Sequence, residues 1–340
     1  MDTNSEQIKA LIKLGLHLKE FDRLNPKYTK LQTIIEQSVN KNAWFNQENI
    51  ENVFRIWSET LEEDKILDWI SRYKFESKKD KTVAIILAGN IPMVGLHDLI
   101  CVWVCGLKSI VKCSSKDDLL LPYMTDFLES QIGKKYFTFQ EKIIRKFDAV
   151  IATGSNNSAR YFDYYFKKYP NIIRKNRNGI AVLSGKESAE DLNKLCLDIL
   201  QYFGLGCRNI SKIYIPNGFD LDKILKSLRS HESVVNNFKY LNNYNYHKTI
   251  LLLNNEPFKD NGFFILKEDK KIAAPIACLH YEYYKEIEGL RMELSKNIDS
   301  VQCIVSDLNF KNAIPFGESQ KPSLFQYADQ IDTLKFLIDL

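Results

Sequence analysis

Between Lys81 and Ile215 short apolar runs alternate with longer stretches of helical periodicity, and no other feature of the chain restricts its fold so tightly. Residues 83–88 are an unbroken run of Val, Ala, Ile and Leu, the pattern of a strand buried on both faces. Gly89-Asn90-Ile91-Pro92 then turns the chain, a helix-like stretch follows to about Leu107, and 109–113 reads as the next strand. The rhythm repeats with helix over 117–132, strand over 148–153, and helix over 156–169 ended by Pro170. Strand over 179–184, helix over 188–203 and strand over 210–215 complete it. Strands that alternate with helices imply right-handed crossovers and a parallel sheet, so the chain is α/β.

On either side of this region the pattern changes. The first eighty residues read as an N-terminal helical layer, with Ile8, Leu11 and Ile12, then Leu61, Ile66, Leu67, Trp69 and Ile70, at helical spacing. Thr3 and Glu6 have the spacing of a capping box, and Asn25-Pro26 marks a break between helices. Beyond Pro216 a helix is expected over 222–229, a long surface loop over the Asn- and Tyr-crowded 236–246, and a strand over 249–253. A length of 340 residues suits two domains. With no repeat or low-complexity linker they should be packed, one over 1–178 with 311–340 and the other over 179–310.

Charge and cysteine usage narrow the function. The net charge of +4, from 47 basic against 43 acidic residues, is too mild for a nucleic-acid binder and favours a small-molecule partner. The N-terminus has no signal-peptide pattern, and the longest apolar run, 99–107, is short of a membrane span. The seven cysteines form no CxxC pair, which fits thiols in a reducing cytoplasm and no metal site.

Three places carry chemistry. Cys207 follows Gly204-Leu205-Gly206, glycines that let a backbone approach a ligand and expose a thiol, and a thiolate both accepts and releases an acyl group. Thr153-Gly154-Ser155 closes a strand and opens a helix, where N–H groups suit a phosphate. Asn90, at a turn after a buried strand, can donate its amide to an oxyanion. Each has a plainer reading: a buried small hydrophobe for the cysteine, helix capping for the Thr-Gly-Ser turn, and a self-bonding turn residue for the asparagine. Cys101, Cys105, Cys113, Cys196, Cys278 and Cys303 sit in apolar or strand-like runs and are expected in the core. His97 and His280 are expected there too. The basic residues Lys167, Lys168, Arg174, Lys175 and Arg177 read first as a solvated face, and second as a site for CoA phosphates.

Taken in order, these motifs resemble the aldehyde-dehydrogenase superfamily, and within it the acyl-CoA reductases of the bioluminescence fatty-acid-reductase type. Asn90-Ile91-Pro92 resembles the N-F-P segment, Lys112-Cys113-Ser114-Ser115 with Pro122 the K-P-S-E segment, and Thr153-Gly154-Ser155 the T-G-S turn. Gly204-Leu205-Gly206-Cys207 resembles the G-Q-x-C segment of the nucleophile, and Ile314-Pro315-Phe316-Gly317 the late P-F-G segment. The resemblance spans Lys81 to Gly317 and implies two packed domains with parallel-type sheets. It implies Cys207 as nucleophile, Asn90 as oxyanion donor, and Lys112, Ser114, Thr153, Gly154 and Ser155 as cofactor contacts. The cofactor would be NADPH, with Lys112 beside the adenosine ribose, and NADH the alternative.

The chain also departs from the family. The stretch matching E-L-G-G-K, 173–179, has no carboxylate to activate water, and E-I-F-G-P appears as Lys271-Ile272-Ala273-Ala274-Pro275. The first departure favours reduction of an acyl-CoA or other acyl thioester, long-chain fatty acyl included, over aldehyde oxidation. An oxidative (semi)aldehyde dehydrogenase and an inert relative kept as a binding scaffold are the alternatives, and the resemblance also implies a homo-oligomer. Nucleic-acid binding by 236–246 rests on aromatic content alone.

Overall fold

The computed structural model describes residues 5–75, 80–141 and 145–340. They form two compact units, Met1–Lys175 with Ser323–Leu340, and Asn176–Pro322. No helix among the described residues is long and apolar enough to cross a membrane.

The first unit begins with helices α1 (Ser5–Lys19), α2 (Thr29–Lys41), α3 (Gln47–Thr60) and α4 (Glu63–Ser71). Leu11, Leu14 and Leu18 of α1 and Ile50, Val53 and Phe54 of α3 are buried at helical spacing, leaving the charges outside. A Cβ on Gly15 would lie 2.8 Å from the Leu61 carbonyl, so glycine there lets the chains approach closely. Asn25 accepts the Lys27 N–H at 3.0 Å and opens a short turn at Pro26–Tyr28, the expected break. The Thr3–Glu6 capping box lies outside the described residues at Thr3.

The five strands of this unit are β1 (Thr82–Ile86), β2 (Lys108–Lys112), β3 (Phe137–Phe139), β4 (Ala149–Thr153) and β5 (Asn171–Arg174). They form a parallel sheet in the order β3-β2-β1-β4-β5. The crossovers include α5 (Leu96–Val104), α6 (Leu120–Ile132) and α7 (Asn156–Phe166). Phe162 and Phe166 of α7 cover Ala84, Val150 and Ala152 on one face. The chain runs outward from β1 through β2 to β3, then returns to the other side of β1 as β4. This reversal makes the carboxyl ends of β1 and β4 a topological switch point, where open α/β sheets gather ligands. The helix expected from 117 starts only at Leu120, because Asp117 pairs with Ser114 in a turn. The edge strands β3 and β5 are too short for sequence periodicity to show them.

The second unit contains β6 (Asn178–Val182), α8 (Ala189–Leu200), β7 (Ile210–Pro216), α9 (Asp222–Leu228) and α10 (Phe238–Leu253). It continues with β8 (Lys259–Asp260), β9 (Ile265–Glu268), β10 (Cys278–Tyr284), α11 (Ile287–Lys296) and β11 (Val301–Val305). The sheet order is β11-β6-β7-β10-β9-β8, parallel except for the antiparallel pair β8–β9. Leu290 and Leu294 of α11 pack with Ile180, Val182, Tyr214, Val301 and Ile304. Two expectations fail here. The surface loop over 236–246 and the strand over 249–253 are together the single helix α10. Asn237 caps it by accepting the Lys239 and Tyr240 N–H groups, and Tyr240, Tyr244 and Leu251 bury one helical face.

The chain's last segment returns to the first unit and ends in α12 (Thr333–Ile338). Trp69 Nε1 donates to the Tyr327 hydroxyl at 2.7 Å, and Tyr73 donates to Asp332 at 2.8 Å. Arg174 donates to Thr333 Oγ1 at 2.9 Å. Residues 311–322 instead stay with the second unit, where Ile314 bridges Val305.

Candidate active site

In the second unit α8 ends at Leu200, and the chain passes through Tyr202 (φ 53°), Phe203 (φ 58°) and Gly204 (φ 74°) before reaching Cys207. Left-handed backbone costs a non-glycine residue about 1–3 kcal/mol and persists only where the surroundings fix it. Here they do: Tyr202 and Phe203 are buried, and the buried Asn209 laces the turn. Asn209 Oδ1 accepts the Gly206 N–H at 2.8 Å, and Nδ2 donates to the carbonyls of Asp198, Ile199 and Gln201 at 3.0, 3.3 and 2.9 Å. The same side chain therefore caps α8 and fixes the turn bearing Cys207. Cys207 is exposed, whereas Cys101, Cys196, Cys278 and Cys303 are buried and Cys105 and Cys113 half-buried. Burial pushes the thiols of these six well up, to about 12 for Cys113, Cys196, Cys278 and Cys303.

The Pro315-Phe316-Gly317 segment is tied to the same place. Asp198, on the last turn of α8, accepts the Gly317 N–H at 2.6 Å and the Ser319 N–H at 2.9 Å. Burial raises its pKa and these bonds oppose the rise. Arg208 Nε donates to the Ser319 carbonyl at 2.5 Å. The stretch from Lys270 to Pro275 is pinned by three side chains. Lys212, fully buried, donates to the Lys270 carbonyl at 2.9 Å and pairs with Glu282 at 2.5 Å. Ser211 reaches the Ile272 carbonyl at 2.8 Å, and the His280 ring meets the Lys271 carbonyl at 2.8 Å. Sequence reasoning missed Asn209, Asp198 and Lys212. An asparagine two residues after a cysteine that follows Gly204-Leu205-Gly206 was the available signal for the first, and a lysine inside an apolar strand for the last.

In the first unit Asn90, Lys112, Ser114 and Thr153-Gly154-Ser155 lie just past or at the carboxyl ends of the adjoining strands β1, β2 and β4. Asn90 is partly buried. Lys112 Nζ donates to the Glu141 carbonyl at 2.6 Å. Ser114 supports the turn before it: a Cβ on Gly89 would lie 2.7 Å from the Ser114 Cβ. Ser155 caps α7 by accepting the Ser158 N–H at 3.2 Å, which is the plainer of its two readings. A Cβ on Gly154 would lie 2.8 Å from that of Ser158, so glycine lets α7 close onto the strand end.

The remaining polar residues separate clearly. His97, enclosed by Trp57, Trp69 and Tyr327, is pushed down to about 4 by burial and stays neutral at pH 7. The solvated basic face loses Arg174, which is buried against Asp98 and Thr333. Lys167 and Lys168 are exposed, and Lys175 pairs with Asp163 at 3.4 Å. Among the described residues no group of His, Cys, Asp and Glu is arranged to hold a metal ion.

No protein-family model matches the chain, and no curated protein matches its sequence. Its fold is that of the aldehyde dehydrogenases. The indole-3-acetaldehyde dehydrogenase AldA of Pseudomonas syringae, in complex with NAD+ and IAA, superposes with a TM-score of 0.65 at 12% identity. That match covers 92% of this chain and 73% of the other. The NAD+ complex of an aldehyde dehydrogenase from Bacillus cereus matches with a TM-score of 0.62 at 12% identity, over 96% of this chain and 83% of the other. Aldehyde dehydrogenase 21 of Physcomitrella patens, in complex with succinate, gives 0.63 at 10% identity, over 88% and 72%. At such identities the likeness establishes a shared fold.

Proposed function

We propose that the protein reduces an acyl thioester, with acyl-CoA as the donor, to the aldehyde through an acyl-Cys207 intermediate and with NAD(P)H as reductant. The observation that carries this reading is the contrast among the cysteines. One thiol is exposed on a turn held in left-handed backbone, while burial suppresses ionisation of the other six. A thiolate is the form that attacks a carbonyl, and partial exposure is what a reactive cysteine needs. A reducing compartment such as the cytoplasm keeps that sulfur a thiol.

The Cys207 thiolate attacks the thioester carbonyl, the C–S bond to CoA breaks, and CoA leaves as a thiolate that takes up a proton. The Asn90 amide and the Cys207 backbone N–H are assigned to the oxyanion of that attack, a contribution usually of about 3 kcal/mol per donor. A reduced nicotinamide, when bound, would supply the hydride for reduction of the acyl group. The resulting thiohemiacetal on Cys207 collapses, releasing aldehyde and restoring the thiolate. The residues at the strand ends suit a dinucleotide chemically. The Lys112 ammonium is assigned to the adenosine ribose, where it would favour a 2′-phosphate and hence NADPH over NADH. Ser114 and Thr153-Gly154-Ser155 are assigned to the remaining cofactor contacts. Reduction is favoured over aldehyde oxidation because 173–179 offers no carboxylate to activate water. Long-chain fatty acyl groups are the first substrates to try.

Turnover is measured as NAD(P)H oxidation across acyl-CoA chain lengths with both cofactors. The wild type should oxidise cofactor only when acyl-CoA is present, and Cys207→Ala should abolish the rate. Full activity in Cys207→Ala would end the proposal.

A further inference from the structure

We infer that Asp117 is the positioning residue for Asn90, an inference that rests on the oxyanion reading of Asn90. Asn90 lies between two residues of unusual geometry. Before it, Gly89 is pressed against the next strand's turn: a Cβ there would lie 2.7 Å from the Ser114 Cβ, 2.8 Å from its Oγ and 3.1 Å from the Asp117 nitrogen. After it, beyond Ile91-Pro92, Met93 adopts φ 56°, left-handed backbone that a methionine keeps only where its neighbours impose it. The group that imposes it is the Asp117 carboxyl. Asp117 Oδ2 accepts the Met93 N–H at 2.7 Å.

Asp117 is itself fixed. It is 3% exposed, its N–H donates to the Ser114 carbonyl at 3.0 Å, and it forms a bridge with Ser114. One turn after β2 thus grips the β1 loop on both sides of Asn90, by van der Waals contact at Gly89 and by a hydrogen bond at Met93. The other carboxylate oxygen, Oδ1, is buried with no hydrogen-bond partner. A half-satisfied buried carboxyl is costly. What the side chain adds at Oδ2 is a buried acceptor placed for the strained Met93 N–H. The turn after β2 therefore does more than border the cofactor contacts Lys112 and Ser114: it sets where the amide of Asn90 stands.

The test pairs amide hydrogen exchange of the 89–95 segment in the full chain with kcat and KM for acyl-CoA reduction. Asp117→Ala should speed exchange at 89–95 by roughly tenfold or more, the equivalent of one lost hydrogen bond. It should also lower kcat by a similar factor and leave KM unchanged. Asp117→Asn, whose amide oxygen still accepts the Met93 N–H, should restore slow exchange and most of kcat. If Asp117→Ala does not fold, Asp117→Ser, with a hydroxyl too short to reach Met93, is read in the same way. Unchanged exchange in a folded variant overturns the assignment of Asp117, and so does faster exchange at the wild-type kcat when Asn90→Ala is slow. Asn90→Ala at the wild-type kcat overturns the oxyanion reading instead, and the exchange result still decides whether Asp117 holds the loop.

Discussion

At the scale of single residues, environment separates groups that the sequence presents as equals. Seven cysteines look alike in the chain, yet burial raises the pKa of six, and Cys207 alone is exposed. Iodoacetamide should therefore alkylate Cys207 before any other cysteine of the folded protein, as mass mapping of the labelled peptides will show. Equal labelling of Cys105 or Cys113 would contradict the contrast. Asp117 carries a second prediction. Burial, the largest influence, and then the charge of Asp118 push it up to about 7, against its hydrogen bonds to Met93 and Leu120. The folded protein thus holds this proton at pH values where the unfolded chain has released it. Stability contributed by the protonated carboxyl is full below about pH 4 and lost as pH rises towards 7, above which the difference is constant. Relative to Asp117→Asn, the wild type should lose melting temperature between pH 4 and 7, and parallel curves over that window would refute the shift. Asn90 and Cys207 were legible as candidates because glycine and proline punctuate their turns. Asn209, Asp198 and Asp117 were not, because a buried polar side chain is defined by the backbone groups it meets, and those come from other elements.

Among the elements, legibility followed length and burial. The strands β1, β4 and β7 announced themselves as unbroken apolar runs, since a parallel strand covered on both faces excludes polar residues. The strands β3 and β5 did not, being three and four residues long. Helix α10 was misread for a different reason: its face is built from Tyr240 and Tyr244 among asparagines, which suggest loop, and its last turn, Ile250 to Leu253, is apolar enough to resemble a strand. Only the cap at Asn237 and the four-residue spacing of the buried tyrosines reveal the period. The helix expected over 188–203 stops at Leu200, because Tyr202 and Phe203, types that normally avoid left-handed backbone, adopt it here. Asn209→Ala would leave the buried Gly206 N–H unpaired and uncap α8, at a cost of about 2–4 kcal/mol. Denaturant unfolding measures it, and a loss below roughly 0.5 kcal/mol would show that the turn holds itself.

For the whole molecule, the alternation between Lys81 and Ile215 specified parallel α/β architecture, and the three solved aldehyde dehydrogenases compared above share that fold at 10–12% identity. The return of the chain's end to the first unit depends on contacts distant in sequence. Tyr327 meets Trp69 and Tyr73, and Leu334 and Leu337 are buried. Deleting 323–340 should therefore lower the melting temperature by several degrees and expose the Trp69 region to limited proteolysis. A truncated chain with unchanged stability would mean that this segment is dispensable. The proposed function turns on one covalent bond. The folded protein, incubated with long-chain acyl-CoA and no nicotinamide, should gain one acyl mass, mapped to the peptide containing Cys207 and discharged when NADPH is added. An acyl mass on another residue, or acyl-CoA-dependent turnover with no adduct on Cys207, would contradict it.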